Sequence, residues 1–336
     1  MGFPIRLAER RPKTPEAALL GLLRGVPLFS GLEKSWPEIR ALAEAHRVAA
    51  LLHAVAPGLP ERARQDLLRA RSAAQAVRGW HQAALLRLSG ALEGVGALVI
   101  RGAAHAEDLY AAPELRPLSE LEMLIAPSRT FAALDRLSRR GYRLEERPEK
   151  GWLVLRLRDP RDLRVGIHLR RGFPVPAGIR APPSGGSSSE PEVRSALPVG
   201  ALCLRAQGVR LDANDSLLAH ALALNERGMR VPLIEIVDLA HLFARCDPAV
   251  ALSRARQARL LPQLGAALRL LEHCAAAARR FGGAEVDLAR IPRLEVPEGL
   301  ERAALGYELS AEPDRPGALA QVARALGLVA AQRSVE

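Results

Sequence analysis

Apolar residues recur at helical spacing through the first hundred positions, and the chain reads as helices almost throughout residues 14–98. Thr14-Pro15-Glu16 opens the first of them, a side-chain cap followed by proline at the first helical position and an acid in the first turn. A second helix is expected over residues 37–55. After Gly58-Leu59-Pro60 a long one runs from about 61 to 92, in which Leu67, Leu68, Ala74, Val77, Trp80, Ala84, Leu85, Leu88 and Leu92 recur at helical spacing and mark one buried face. The period then changes. Residues 97–100 are a short β-prone run ending in Arg101-Gly102, and residues 118–125 alternate as a half-buried strand does. Between them residues 104–112 suit two or three helical turns. A helix over 127–140 carries Phe131, Leu134 and Leu137 on one face and closes at Gly141, and strands follow at 151–157 and 163–169.

Strands with helices between them imply an α/β (α+β) fold, a small mixed sheet covered on one side. Residues 174–193, PVPAGIRAPPSGGSSSEPEV, have the Pro, Gly and Ser content of a flexible loop. A small hairpin is expected at 202–211, turning at Gln207-Gly208. Helices return at 214–227, 233–245, 247–257 and 260–281, with a last one near 316–330 after the break at Asp314-Arg315-Pro316-Gly317. The pattern divides the chain into an N-terminal helical segment (1–94), an α/β core (95–173), the loop (174–193) and a C-terminal, mainly helical domain (194–336).

Composition narrows this picture. Of 336 residues 49% are hydrophobic and 25% charged, as in ordinary globular proteins. The formal charge of +11 invites a nucleic-acid partner, but lysine occurs only at 13, 34 and 150, the arginines are spread through amphipathic helices, and aromatics for base stacking make up 4%. That distribution argues for a solvated arginine-rich surface, as in a protein from a high-GC genome, and against nucleic acid. Cys203, Cys246 and Cys274 are odd in number and widely spaced, which supports neither a disulfide framework nor a zinc site. With no signal-peptide pattern and no apolar run of membrane-spanning length, the expected location is cytoplasmic, with no membrane partner.

Residues 98–125, LVIRGAAHAEDLYAAPELRPLSELEMLI, carry the candidate chemistry. Glu120 and Glu122, two apart on a strand, project from one face with Cα atoms ~7 Å apart. Such a pair can share magnesium ions that hold a triphosphate in line for attack. Arg101-Gly102 ends the preceding strand, where a backbone without a side chain lets phosphate approach and a guanidinium can pair with it. Arg101 could equally pair with Glu120 or Glu122, and Arg116 could close a salt bridge as readily as contact substrate.

The stretch resembles an uncharacterised bacterial branch of the nucleotidyltransferase superfamily, which carries Leu-Lys-Gly, a Tyr some eight residues on, and Leu-Arg-Pro-x-Ser-Asp-x-Asp. The matching residues are Ile100-Arg101-Gly102, Tyr110, Leu115-Arg116-Pro117-Leu118-Ser119 and Glu120-Leu121-Glu122. Leu137 to Tyr142, the run ending in His168-Leu169, and a helical region holding His220 and Asp238 extend the likeness over roughly residues 36–275. The resemblance implies a nucleoside triphosphate bound with magnesium, Glu120 and Glu122 as metal-binding catalytic residues, and Arg101, Gly102, Arg116, Ser119 and Asp238 around the nucleotide. It also implies transfer of a nucleotidyl group to an unidentified acceptor molecule or protein. Two departures stand out: both family aspartates are glutamates here, and the third acid of the family falls on Gly166. Asp162, four residues earlier and on the same face, is a conceivable substitute, but it lies ~13 Å along the strand from Gly166. These departures admit a second reading, a catalytically degenerate module that keeps the fold to bind a nucleotide or a partner. His168 and His220 are read as structural, and Asp238 as a local pair or a group facing the nucleotide.

Overall fold

In the computed structural model, which describes residues 14–26, 32–56, 58–145, 153–162, 164–173, 195–197, 199, 202–203, 206, 209–276, 278–305 and 307, the first helix starts where its cap requires. Thr14 Oγ1 accepts from Ala17 N at 3.3 Å and opens α1 (Pro15–Leu23). The single helix expected over 37–55 is two, α2 (Leu32–Ala45) and α3 (Ala49–Val55). The break falls at Arg47, whose left-handed backbone (φ 59°) ends the first helix, while burial of Leu32 and Trp36 draws its start a turn ahead of Pro37. The long helix, α4 (Glu61–Ala91), buries Leu67, Ala74, Val77, Ala84 and Leu88 as expected, whereas Trp80 and Leu85 are partly buried and Leu68, at the margin of the apolar stripe, is 49% exposed.

Five strands form the sheet: β1 (Leu98–Ile100), β2 (Glu120–Leu124), β3 (Arg143–Leu144), β4 (Val154–Arg158) and β5 (Gly166–Arg170). Their order is β1-β2-β5-β4-β3, with β2 and β5 parallel and every other pair antiparallel. Between β1 and β2 runs α5 (Gly102–Leu109), and after β2 comes α6 (Thr130–Arg139). In α6 the buried face is Thr130, Ala133 and Leu137, and Phe131 is 72% exposed, because the helix proper begins at Thr130 after a 3₁₀ turn that shifts its phase. Gly141 (φ 82°) takes the left-handed turn into β3, a short strand that the sequence pattern does not show.

Period-two alternation gives the sheet two different faces. Val99, Leu121, Met123, Ile167 and Leu169 pack with Leu88 of α4 and Leu137 of α6 in one cluster. On the opposite face Leu98, Ile100 and Leu124 join a larger cluster that runs through α1–α4 and the C-terminal helices. The other β2 and β5 positions of that face are charged or bare, Glu120, Glu122, Gly166, His168 and Arg170, and β4 adds Val154, Arg156 and Arg158 beside them. Glu226 of α7 (Ala213–Glu226) and Glu235 of α8 (Leu233–Arg245) reach this side of the sheet, and α9 (Pro248–Gln257) and α10 (Leu261–Ala275) pack against those helices.

The helix expected to reach residue 281 stops at Ala275. Ala276 is left-handed, and Gly282 and Gly283 (φ 58° and 90°) turn a hairpin between β6 (Arg280–Phe281) and β7 (Ala284–Glu285). A further helix, α11 (Glu298–Leu305), follows, the last among the described residues. In the region expected as a hairpin at 202–211, Arg210 instead forms a parallel bridge to Val99 at the edge of β1, and Gln207-Gly208 lies outside the described residues. Residues 174–193 and 316–330 also lie outside them. Among the described residues no helix is long and apolar enough to cross a membrane.

Candidate functional site

Because β2 and β5 run parallel in register, Glu120 lies beside Gly166 and Glu122 beside His168, all on the face toward the C-terminal helices. The two glutamates then part company. Glu120 is half-buried, with His168 Nδ1 3.4 Å from its carboxylate. Glu122 is 4% exposed and both its oxygens are taken: Arg101 Nη1 donates to Oε2 at 3.1 Å and Arg170 Nε to Oε1 at 2.8 Å.

Arg101 reaches that position from a strained backbone, φ 53° and ψ −130°, at the turn between β1 and α5. Its second nitrogen, Nη2, donates to Glu235 Oε2 at 3.2 Å. Glu235 Oε1 accepts from Arg116 Nη2 at 3.2 Å, and the same Arg116 nitrogen donates to Asp238 Oδ2 at 2.7 Å. Asp238, fully buried on α8, further accepts from Tyr110 Oη at 2.7 Å and lies 3.2 Å from His105 Nδ1. Three buried arginines and three buried carboxylates thus tie the sheet to α5 and α8. A Cβ at Gly102 would stand 3.0 Å from Arg116 Nη1, so the bare backbone there admits a guanidinium of the protein itself.

Electrostatics follow from this packing. Burial alone would raise the Glu122 carboxyl, and Arg101 and Arg170 reverse it, holding it down at about 2. Asp238 and Glu235 are likewise pulled below the usual range against the effect of burial, Asp238 first by Arg116 and Glu235 first by Arg101. The guanidinium groups of Arg101 and Arg116 are pushed up, since their carboxylate partners outweigh desolvation. His220 is lowered to about 4 by burial; its Nε2 meets the Glu235 carbonyl at 2.7 Å and its Nδ1 is enclosed without a hydrogen-bond partner.

Of the residues expected from the sequence, Arg101, Gly102, Arg116, Glu122 and Asp238 come together in this network. Ser119 and Glu120 stand at its partly exposed edge, where Ser119 Oγ accepts from Arg47 Nη1 at 2.9 Å. A Cβ at Gly166 would lie 3.8 Å from the Glu120 Cβ, so position 166 adjoins Glu120 but supplies no acid. Asp162 is in the loop before β5, where both its oxygens are bonded to Arg164 at 2.8 and 2.9 Å. Arg170, Glu235, His105 and Tyr110 complete the network without having been singled out as site residues. Two signals pointed to them: His105 is one helical turn from Arg101, and Glu235 is three residues before Asp238 in an otherwise apolar helix. Sequence spacing gave no metal cluster, yet the fold brings ligand atoms of His105, His220 and Asp238 within 4.8 Å of one another. Arg116 already occupies Asp238 there, and a dication added beside neutralised carboxylates would leave buried charge uncompensated.

A small mixed sheet carrying a Glu-x-Glu strand behind an Arg-Gly turn, with helices closing its charged face, defines a nucleotidyltransferase-like protein. The chain belongs to the family described as uncharacterised nucleotidyltransferase, whose model matches residues 33–276. No curated protein and no solved structure matches it.

Proposed function

We propose that this chain is a catalytically degenerate member of its family, a module that binds a nucleoside triphosphate through its phosphates without metal-dependent nucleotidyl transfer. One observation carries the reading: Glu122 is held between Arg101 and Arg170, at 3.1 and 2.8 Å, while Gly166 stands beside Glu120 where a third acid would be. Magnesium, which family membership implies, does not fit these residues. It needs near-octahedral oxygen ligands, and the one carboxylate without an arginine partner is Glu120. Two permanent cations already neutralise the other.

The half-buried Glu120 beside His168 favours a second reading, an active enzyme in which Glu120 and Glu122 together hold magnesium and a nucleotidyl group passes to an acceptor. Titration with ATP, GTP, CTP and UTP, with and without magnesium or manganese, separates the two. The degenerate module binds at least one nucleotide with the metal chelated, releases no pyrophosphate, and keeps binding after Glu120→Gln. Metal-dependent release of pyrophosphate that Glu120→Gln abolishes would overturn it in favour of the enzyme.

A further inference from the structure

Arg47 closes α2 in the left-handed conformation, φ 59°, with Val48 N donating to Ala43 O at 2.8 Å across the helix end. Glycine suits such a position and arginine does not, because its Cβ crowds the carbonyl there. The strained backbone delivers a guanidinium to the edge of the site, and that guanidinium is matched differently from its neighbours. Arg101, Arg116 and Arg170 each hold two carboxylates. Arg47 Nη1 donates to the neutral Ser119 hydroxyl at 2.9 Å, and among the described residues no carboxylate makes an ion pair with it. Desolvation lowers its pKa, an effect that Glu235 and Glu120 offset only in part and that Arg116 and Arg227 deepen; the partnered Arg101 and Arg116 shift the other way.

A half-buried cation facing a hydroxyl is a poor stability device but a good anion receptor. Most of its donors remain for phosphate oxygens, which suit the planar fork of a guanidinium. Ser119 Oγ accepts from Arg47, so its own hydrogen is available to the same anion. Arg101 and Arg116, by contrast, are consumed by Glu122, Glu235 and Asp238.

We propose that Arg47 and Ser119 form the phosphate seat of this site, binding the phosphate tail of the nucleotide in place of Arg101 and Arg116. This rests on the reading of the chain as a nucleotide-binding module. Calorimetric titration with tripolyphosphate and with ATP, in the presence of chelator, tests it on wild type, Arg47→Gly, Arg47→Lys and Ser119→Ala, alongside thermal melts. Wild type is expected to bind both probes. Arg47→Gly relieves the left-handed strain, so its Tm should equal or exceed that of wild type, while both affinities fall about tenfold or more. Arg47→Lys keeps the charge without the fork and should fall between, and Ser119→Ala should weaken binding with little change in Tm. Equal binding by wild type and Arg47→Gly overturns the seat and leaves the nucleotide reading standing. An Arg47→Gly chain that melts well below wild type marks the side chain as structural and also overturns it. Wild-type protein that binds neither probe removes the functional reading and the seat together.

Discussion

Glu122→Gln separates a structural carboxylate from a metal ligand, because the two roles predict opposite signs for stability. Glu122 is 4% exposed and flanked by Arg101 and Arg170 at 3.1 and 2.8 Å. The amide keeps the shape but removes the charge, leaving two buried guanidinium groups under-compensated. Removing one partner of a buried ion pair costs about 3–5 kcal/mol. Here Arg101 retains Glu235 at 3.2 Å and Arg170 retains Glu226 at 3.4 Å, which places the loss near the lower end, about 3 kcal/mol. At ~2 °C per kcal/mol for a chain above ordinary domain size, the melting temperature should fall by roughly 6 °C.

The assay is urea denaturation in chelator at neutral pH, with Glu120→Gln as control. Glu120 is half-buried and among the described residues its ion-pair partner is His168, so its neutralisation should change stability by no more than ~1 kcal/mol. A carboxylate kept for metal and unmatched by cations would be relieved by the same change, and the variant would equal or surpass the parent. If Glu122→Gln is as stable as wild type in chelator, the arginine lock contributes nothing and the degenerate reading loses its physical basis.

Acid should act in two stages. His220 titrates near 4 in the fold against ~6.5 when unfolded, so its contribution is complete above ~6.5 and is lost as pH falls toward 4, on the order of 3 kcal/mol. Glu122, depressed to about 2, adds a second loss between ~4.5 and 2; denaturation midpoints that stay flat from pH 7 to 4 would contradict the burial of His220. In α4 a Cβ at Gly79 meets nothing within 4 Å, and Gly79→Ala should stabilise by ~0.5–1 kcal/mol in a thermal melt. Gly282→Ala would set a Cβ 2.5 Å from Val237 Cγ1 at φ 58° and should cost more than ~2 kcal/mol. Leu137→Ala should lose ~2–5 kcal/mol while Phe131→Ser stays within ~0.5, and the reverse ranking would show that the phase of α6 is wrong.

The glutamate strand was legible because a two-residue period is local: Glu120 and Glu122 alternate with Leu121 and Met123, and one face must be wet or paired. The long helix α4 was legible for the same kind of reason. What closes around Glu122 was not, since Arg170 arrives only through the parallel pairing of a strand 48 residues away and Glu235 reaches Arg101 across 134 residues of chain. Local rules also failed where a residue acts against its own preference. Nothing in the side chain of Arg47 announces a left-handed break, so α2 and α3 read as one helix. Gly282-Gly283 did announce a turn, but the apolar helical run before it masked the signal.

Glu122 and the arginines around it belong to one electrostatic arrangement. Metal-dependent transfer needs a cation that enters, bridges oxygens of protein and phosphate, and leaves with the product. The guanidinium groups of Arg101 and Arg170 satisfy the Glu122 carboxylate as permanent cations, and they arrive from the protein. The longer side chain of glutamate carries its oxygens out to the two arginines, and a third acid at 166 would add a charge for which the buried network, three cations against three carboxylates, has no matching cation. A site balanced in this way has no electrostatic need for a dication, so charge left over for a ligand must come from an arginine outside the balance. Arg47 is that arginine, and for this reason nucleotide affinity should weaken with added salt, as a guanidinium–phosphate contact does, and remain unchanged by chelator.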